Sequence, residues 1–246
     1  MTSTRVRMIL MTLFWTLILM AGVSGICSAQ STLYFPQIAD GIQGGDLGWA
    51  TAIALTNTAA IGTATASGTI TFTQDNGTPL NLLLVDEQER PLANGNSVSF
   101  QISGGQTRFF LTGRFTGAIS ALKTGYATVT STQPLAGSAM FIQALAAKQI
   151  GEASVFAAAP LTRQTCGVLK GSGVDTGVAN PGTSTANVTF QLLNTDGVII
   201  ATATRNLEAR NHTAFFTREL FPNAPATLWK FTHQQRHGDC RNCAVF

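Results

Sequence analysis

Alternating apolar and polar residues dominate the chain and predict an all-β protein. Two clear examples are "GWATAIALTN" (48–57) and "ASGTITFTQ" (66–74), which are rich in β-branched residues and place every second side chain on one face. The same pattern occurs in "SVSFQI" (97–102), "TRFFLT" (107–112), "GYATVTS" (125–131) and "GSAMFIQ" (137–143). Turn clusters such as "DNGTP" and "ANGN" separate these stretches. Short strands at this spacing are typical of a β-sandwich or barrel.

One Ala-rich stretch, "QALAAKQIGEASVFAAA" (143–159), is the best helical candidate in the chain. Gly151 interrupts it, and residues 154–156 return to a strand pattern. We therefore predict a strand, then a loop or short helix, then a second strand that ends at a domain boundary near Pro160.

The second half of the chain repeats motifs of the first half in the same order. "QTRFFLTGRF" (106–115) aligns with "HTAFFTRELF" (212–221) through a threonine, paired phenylalanines and a final phenylalanine. Upstream, "TITFTQDNG" (69–77) resembles "NVTFQLLNTDG" (187–197), and "TAIALTN" (51–57) resembles "TGVANPG" (176–182). Three such pairs in one order predict an internal duplication. In this alignment the first copy has 17 extra residues, which we place in "LLLVDEQERPLANG" (82–95).

Several of these motifs resemble those of uncharacterised secreted bacterial proteins built from tandem immunoglobulin-like β-sandwich repeats. The similarity covers most of residues 33–225. It rests on "LYFPQIADG" (33–41), Trp49, "ALTN" (54–57), "TGYATVTSTQPLAGSAMF" (124–141), "TGVANPG" (176–182) and "RELFP" (218–222). The resemblance implies tandem immunoglobulin-like β-sandwich domains, which with the duplication and the boundary near Pro160 we place as a first repeat over 32–159 and a shorter one over 160–225. It implies a surface or extracellular module and transfers no catalytic residue.

The first 29 residues have the order of a secretory signal. Arg5 and Arg7 precede an apolar run over 8–23, and small residues follow. The run is shorter than the roughly 20 apolar residues that span a bilayer, so we expect cleavage after Ala29 rather than a membrane anchor. Ile26, directly before Cys27, argues against lipid attachment at that cysteine. The expected location is therefore secreted or cell surface.

Charge narrows the class of partner. Without the leader the chain keeps 13 basic and 12 acidic residues, and charged residues make up only 11% of the whole sequence. An ordinary domain has about 25%. Such a sparsely charged, near-neutral surface gives no basis for binding nucleic acid, or a membrane once the leader is removed. We expect the partner to be an extracellular protein or a polysaccharide.

The chain ends in "HGDCRNCAVF" (237–246), where the repeat breaks down. Eleven residues after Phe115 the first copy enters "YATVTSTQPLAGSAMF" (126–141), whereas eleven residues after Phe221 the second has "THQQRHGDCRNC" (232–243). This difference predicts an irregular or disordered tail over 226–246 and a second repeat that is incomplete at its C-terminus. A sheet edge left open in this way favours self-association through edge strands.

Cysteine and histidine residues near the end leave three interpretations open. His233, His237, Cys240 and Cys243 have the ligand types of a zinc site, but their short span offers no rigid frame. A redox Cys-x-x-Cys motif normally opens a helix, which this segment lacks. A disulfide from Cys166 to Cys240 or Cys243 would instead staple the tail to the second repeat. We expect no metal and no other cofactor.

Aromatic residues offer the main binding signal. Most phenylalanines fall in strands, where core packing accounts for them. Trp49, Tyr34 and Tyr126 are the residues able to form a sugar-stacking face.

Catalytic signals are weak. "GSGVDTG" (171–177) lacks the spacing of a phosphate loop, and no G-x-S-x-G motif occurs. No spacing supports His212 with Asp175 or Asp196 as part of a catalytic triad. We expect a non-enzymatic surface, adhesion or scaffold module. The alternative is a carbohydrate-binding module, and an extracellular hydrolase is more remote.

Overall fold

Antiparallel strands and one four-residue helix make up the computed structural model, which describes residues 31–113, 121–146, 148–159, 163–169, 175–223, 228–236 and 244–245. The all-β class is confirmed. The first half contains β1 (Ser31–Gly44), β2 (Leu47–Asn57), β3 (Ala66–Gln74), β4 (Leu82–Val85), β5 (Pro91–Gly95), β6 (Ser97–Ile102), β7 (Thr107–Thr112), β8 (Lys123–Ser131), β9 (Leu135–Leu145) and β10 (Lys148–Phe156). The second half contains β11 (Arg163–Leu169), β12 (Asp175–Ala179), β13 (Ala186–Leu193), β14 (Ile199–Leu207), β15 (His212–Phe216), α1 (Thr217–Leu220), β16 (Leu228–Arg236) and β17 (Ala244–Val245).

Two layers of strands enclose the core of the first half. Sheet A has the order β1, β8, β3, β6, and sheet B has the order β5, β4, β7, β2, β9, β10. β1 joins both layers, because its last residues, Gly41 to Gly44, pair with β2, with a bulge between Ile42 and Gly44. Phe35, Phe72 and Phe110 are fully buried in this core. Alternation explains the burial: in β6, Val98, Phe100 and Ile102 are buried and their neighbours are exposed.

All six strand patterns of the first half form strands, namely β2, β3, β6, β7, β8 and β9. Residues 143–146 and 148–159 of the Ala-rich stretch contain no helix. β9 runs to Leu145, the chain turns through Ala146 at a φ of 48°, and β10 returns antiparallel to β9. The β-branched and aromatic residues of β10 outweigh the helix propensity of the alanines before it.

The second half has two smaller sheets. Sheet C has the order β11, β16, β13, β14, and sheet D has the order β15, β12, β17. Their shared core includes Val178, Phe190, Leu192 and Phe221. The ring of Phe215 meets that of Phe190 edge to face, with centroids 5.2 Å apart.

The expectation of an irregular tail from residue 226 onwards is wrong for residues 228–236. These residues form β16, which pairs with β11 on one side and with β13 on the other. The second sheet system therefore extends beyond the expected boundary at residue 225, and it includes a strand that an incomplete repeat would lack. The local sequence does not predict β16, because this strand is defined by backbone pairing with β11 and β13, which are both distant in the chain.

Within the described ranges, no helix is long and apolar enough to cross a bilayer. The leader over residues 1–29 lies outside those ranges, so the signal peptide stays a prediction.

Candidate functional site

Two tyrosines lie close together on the outer face of sheet A. Tyr34 of β1 faces Thr128 of β8, which in turn faces Thr71 of β3. Two residues further along, Tyr126 of β8 faces Thr73 of β3. Because side chains alternate along a strand, these five residues point away from the core that their chain neighbours fill.

The second half covers this outer face and leaves a cavity of about 400 Å³ between the two halves. Sheet A lines one side of the cavity with the tyrosines and threonines. Asn96 and Pro79 of the first half also line it, and Pro181 and Arg210 line it from the second half. A concave site of this volume at the junction of two bodies is where small ligands commonly bind.

Burial governs the chemistry of both tyrosines. Tyr34 is 8% exposed and Tyr126 is 3% exposed. Burial raises the pKa of Tyr34, and the nearby Tyr126 adds to the rise. Burial also raises the pKa of Tyr126, although a hydrogen bond with Thr73 and the charge of Arg210 act against it. Both hydroxyls are therefore neutral near pH 7 and can donate and accept hydrogen bonds.

A buried histidine fixes the junction beside this cavity. The His212 side chain is 1% exposed, and its Nδ1 lies 2.7 Å from Oδ1 of Asp75 in the first half. The His212 backbone N–H also donates to the Asp75 carbonyl oxygen at 3.0 Å. The Thr124 hydroxyl donates to Oδ2 of Asp75 at 2.5 Å. Three hydrogen bonds thus converge on Asp75, two of them from the second half.

Among the described residues, this histidine and carboxylate pair has no third member of a catalytic triad. Nε2 of His212 is buried and has no hydrogen-bond partner in the described part of the chain, whereas a hydrolase needs a nucleophile there. Burial alone would raise the pKa of Asp75. The hydrogen bonds with His212 and Thr124 and the charge of His212 together lower this pKa by more than burial raises it, so the net shift is downward. The pair is suited to holding the two halves together.

Arg210 reaches the cavity from a tight turn. Its backbone has a φ of 61°, and its N–H donates to the Gly182 carbonyl oxygen at 3.1 Å. Gly77 of the first half packs closely against this turn, since a Cβ at Gly77 would lie 3.3 Å from Cβ of Arg210. The backbone of Arg210 is therefore fixed while its side chain is exposed.

Trp49 does not share the site. It lies on β2 in sheet B, is half-buried, and donates a hydrogen bond from Nε1 to Oε1 of Gln43 at 2.8 Å. The structure therefore brings together Tyr34 and Tyr126 and leaves Trp49 apart. A ligand in the cavity would find little tyrosine ring surface to stack on, because both rings are buried.

Most of the cysteine and histidine candidates lie outside the described residues, namely His237, Cys240 and Cys243. The backbone of Cys166 pairs with Phe231, and that of His233 pairs with Gln164 and Phe190. The disulfide and zinc hypotheses stay predictions. Among the residues that are described, no three His, Cys, Asp or Glu side chains form a group able to hold a metal ion.

Sequence reasoning missed Asp75 and Arg210 as parts of the junction. Asp75 lies 137 residues from its partner His212, and nothing in the local pattern links them. No known family model matches the chain, and no curated protein matches it.

Proposed function

We propose that the protein is a non-enzymatic, exported surface or scaffold module, built from two immunoglobulin-like repeats, that binds an extracellular partner along a sheet edge. The observation that carries the proposal is the edge strand β10. It pairs with β9 along its length and has no strand on its other side among those described. An open edge presents unpaired backbone groups that a strand of another protein can extend.

Exposed apolar side chains support partner binding at β10. Phe156 is 84% exposed, and Ile150, at a bulge in the β9 pairing, is 53% exposed. Phe156 faces Ser138 of β9, and the same row continues through Ala54 to Phe109, which is 38% exposed. Phe156 and Phe109 therefore lie on either side of two small residues, Ser138 and Ala54, on the outer face of sheet B. Burying the two phenylalanine rings against a partner would favour binding.

Strand order supports the two repeats. Sheet C has the order β11, β16, β13, β14, which repeats position for position the order β1, β8, β3, β6 of sheet A. The order β15, β12, β17 likewise repeats β7, β2, β9. Strands β4 and β5 have no counterpart among the described strands of the second half, and they lie within the segment 82–95 to which the sequence alignment assigned the extra residues.

Two buried asparagines support the same alignment. The backbone N–H of Asn57 donates to the carbonyl oxygen of Gln106, and that of Asn180 donates to the carbonyl oxygen of Asn211. This matches Gln106 with Asn211, whereas the sequence alignment paired Gln106 with His212. The strand pairing therefore shifts that alignment by one residue, so that Phe110 corresponds to Phe215.

The experiment combines cell fractionation with binding arrays of extracellular-matrix proteins and polysaccharides. We expect the protein outside the cytoplasm and bound to at least one matrix protein. The double variant Ile150→Lys/Phe156→Lys should lose this binding, because two charges at an open edge oppose strand addition and docking. The control Ile61→Lys changes a residue that is 89% exposed elsewhere, and it should bind normally. Binding that survives the double variant, or a cytoplasmic protein, would refute the proposal.

A carbohydrate-binding module is the second candidate, and the cavity at the junction favours it. Two tyrosine hydroxyls and three threonine side chains line one side of the cavity. Such neutral donors and acceptors match the hydroxyl groups of a sugar. Binding on the polysaccharide part of the array that is lost in Tyr126→Phe and kept in Ile150→Lys/Phe156→Lys would select this candidate over the first.

A further inference from the structure

The cavity at the junction has one positive charge and no acidic lining. Arg210 contributes the charge, and none of the described residues that line the cavity is Asp or Glu. Two acidic side chains, one bonded to His212 and one two residues before Arg210 in the chain, have other partners. Asp75 is held by His212 and Thr124, and Oε2 of Glu208 accepts a hydrogen bond from Thr185 at 2.6 Å. Within the described residues, the Arg210 guanidinium has no ion-pair partner.

Contacts at the junction fix the backbone that carries this charge. Arg210 lies two residues before His212, whose side chain and backbone are both tied to Asp75. Its own N–H is tied to Gly182. An arginine whose backbone is anchored in this way loses less conformational freedom on binding an anion than one on a mobile loop.

The rest of the lining is neutral and rich in hydrogen-bonding groups. Tyr34, Tyr126 and Asn96 supply two hydroxyls and an amide, and Thr71, Thr73 and Thr128 add three hydroxyls. The volume of about 400 Å³ equals that of roughly a dozen water molecules in the liquid. A single ring with several hydroxyl groups fits within it, whereas a long polymer segment does not.

We propose that the cavity binds one sugar residue that carries an anionic group, a carboxylate or a sulfate, with that group on Arg210. The sugar hydroxyls bond the tyrosine and threonine hydroxyls on the opposite wall. This inference rests on the carbohydrate-binding candidate and adds to it the charge of the ligand. Guanidinium pairs with an oxyanion such as carboxylate through two parallel, charge-assisted hydrogen bonds, whereas a neutral sugar offers it only uncharged hydroxyl groups.

Matched sugars test the proposal by titration calorimetry at low ionic strength. The probes are glucuronate and glucose 6-sulfate, each against glucose, and galacturonate against galactose. We expect the protein to bind at least one charged sugar about tenfold or more tightly than its neutral counterpart, as a charge-assisted bond would give. Acetate and sulfate ions, which lack the ring, should bind much more weakly than that sugar.

Substitutions at Arg210 test whether this residue causes the preference for the charged sugar. Arg210→Gln should abolish the preference for the charged sugar, and Arg210→Lys should keep part of it. Arg205→Gln is the matched control, because Arg205 is an exposed arginine on β14 whose Nη1 donates to a backbone carbonyl oxygen away from the cavity. It should bind like the wild type.

The outcomes separate the inference from the candidate on which it rests. Equal binding of charged and neutral sugars, or a preference that survives Arg210→Gln, overturns the inference and leaves a carbohydrate-binding cavity. The absence of binding by every sugar overturns both.

Discussion

Single asparagines brace the strand ends in each half. Asn57 is fully buried, and its Nδ2 donates to the carbonyl oxygens of Ala64 and Ile102 at 2.8 and 2.9 Å. Its Oδ1 accepts the N–H of Ala59 at 3.1 Å. Asn180 does the same in the second half, with Nδ2 donating to three carbonyl oxygens. Buried backbone groups that regular pairing leaves open are satisfied in this way.

Replacing Asn57 should therefore be costly. We expect Asn57→Ala to lower the free energy of unfolding by about 2 to 4 kcal/mol, because the buried Ile102 carbonyl oxygen and the part-buried Ala64 carbonyl oxygen lose their donor. Urea denaturation measures the change. Asn206→Ala, which breaks an exposed side-chain bond to Asn187, should cost less than about 0.5 kcal/mol. Similar losses in the two variants would contradict the bracing role.

Asp75 makes stability depend on pH. Its pKa in the folded protein lies below the ordinary value of 3.8, because the bonds with His212 and Thr124 outweigh burial. The unfolded chain thus takes up the proton first as pH falls. The stabilisation is complete well above pH 3.8 and is lost as pH falls through the folded pKa. Asp75 is 52% exposed, so screening by solvent limits the contribution to about 1 kcal/mol or less.

The test compares unfolding free energies between pH 5 and pH 2. Wild type should lose up to about 1 kcal/mol more than Asp75→Asn over this interval, since the variant has no carboxylate to protonate. Asn57→Ala, which is destabilised without a change of charge, should keep the wild-type slope. Parallel curves for wild type and Asp75→Asn would show that this carboxylate does not stabilise the fold.

At the scale of elements, β3 and β8 approach so closely that Gly125 has no room for a side chain. A Cβ at Gly125 of β8 would lie 2.0 Å from the Thr73 carbonyl oxygen and 3.0 Å from Cα of Gln74. Both atoms are backbone atoms of β3, so no side chain can move away to make room. This contact borders the cavity, because Tyr126 follows Gly125 directly.

Gly125→Ala should therefore separate the two strands. We expect a loss of about 2 kcal/mol or more in the free energy of unfolding, as for other overpacked sites. Gly95→Ala is the matched control in β5, where a Cβ would meet nothing within 4 Å, and it should stay within about 0.5 kcal/mol of wild type. Equal urea midpoints for the two variants would contradict the close approach.

Sequence patterns identified the elements whose signal is local. β2, β3 and β6 to β9 could be read from the sequence, because β-branched and aromatic residues are concentrated in them and core residues recur at every second position. β16 could not, since its pairing with β11 and β13 decides its conformation. The residues of the candidate site also differ in how far the sequence alone could identify them. Tyr34 and Tyr126 were recognisable as scarce aromatic residues, but their proximity depends on the register of β1 with β8. Arg210 joins them only through folding of the second half.

At the scale of the whole molecule, a second glycine lets the two halves meet. Val178 of β12 is buried in the core of the second half, so the side-chain position of the preceding Gly177 points the other way, toward β1. A Cβ at Gly177 would lie 2.7 Å from the Pro36 carbonyl oxygen and 3.0 Å from Cβ of Gln37. This contact and the bonds between His212 and Asp75 join the halves at separate points.

A larger side chain at Gly177 should uncouple the halves without filling either core. We expect wild type to unfold in one cooperative calorimetric transition, because the joined halves stabilise each other. Gly177→Leu should instead give two transitions, the lower one falling by about 5 °C or more. Gly95→Leu adds the same side chain where a Cβ has open space and should keep a single transition. A single, unshifted transition in Gly177→Leu would mean that the contact between β12 and β1 does not couple the halves, and that the bonds to Asp75 hold the cavity at the junction together.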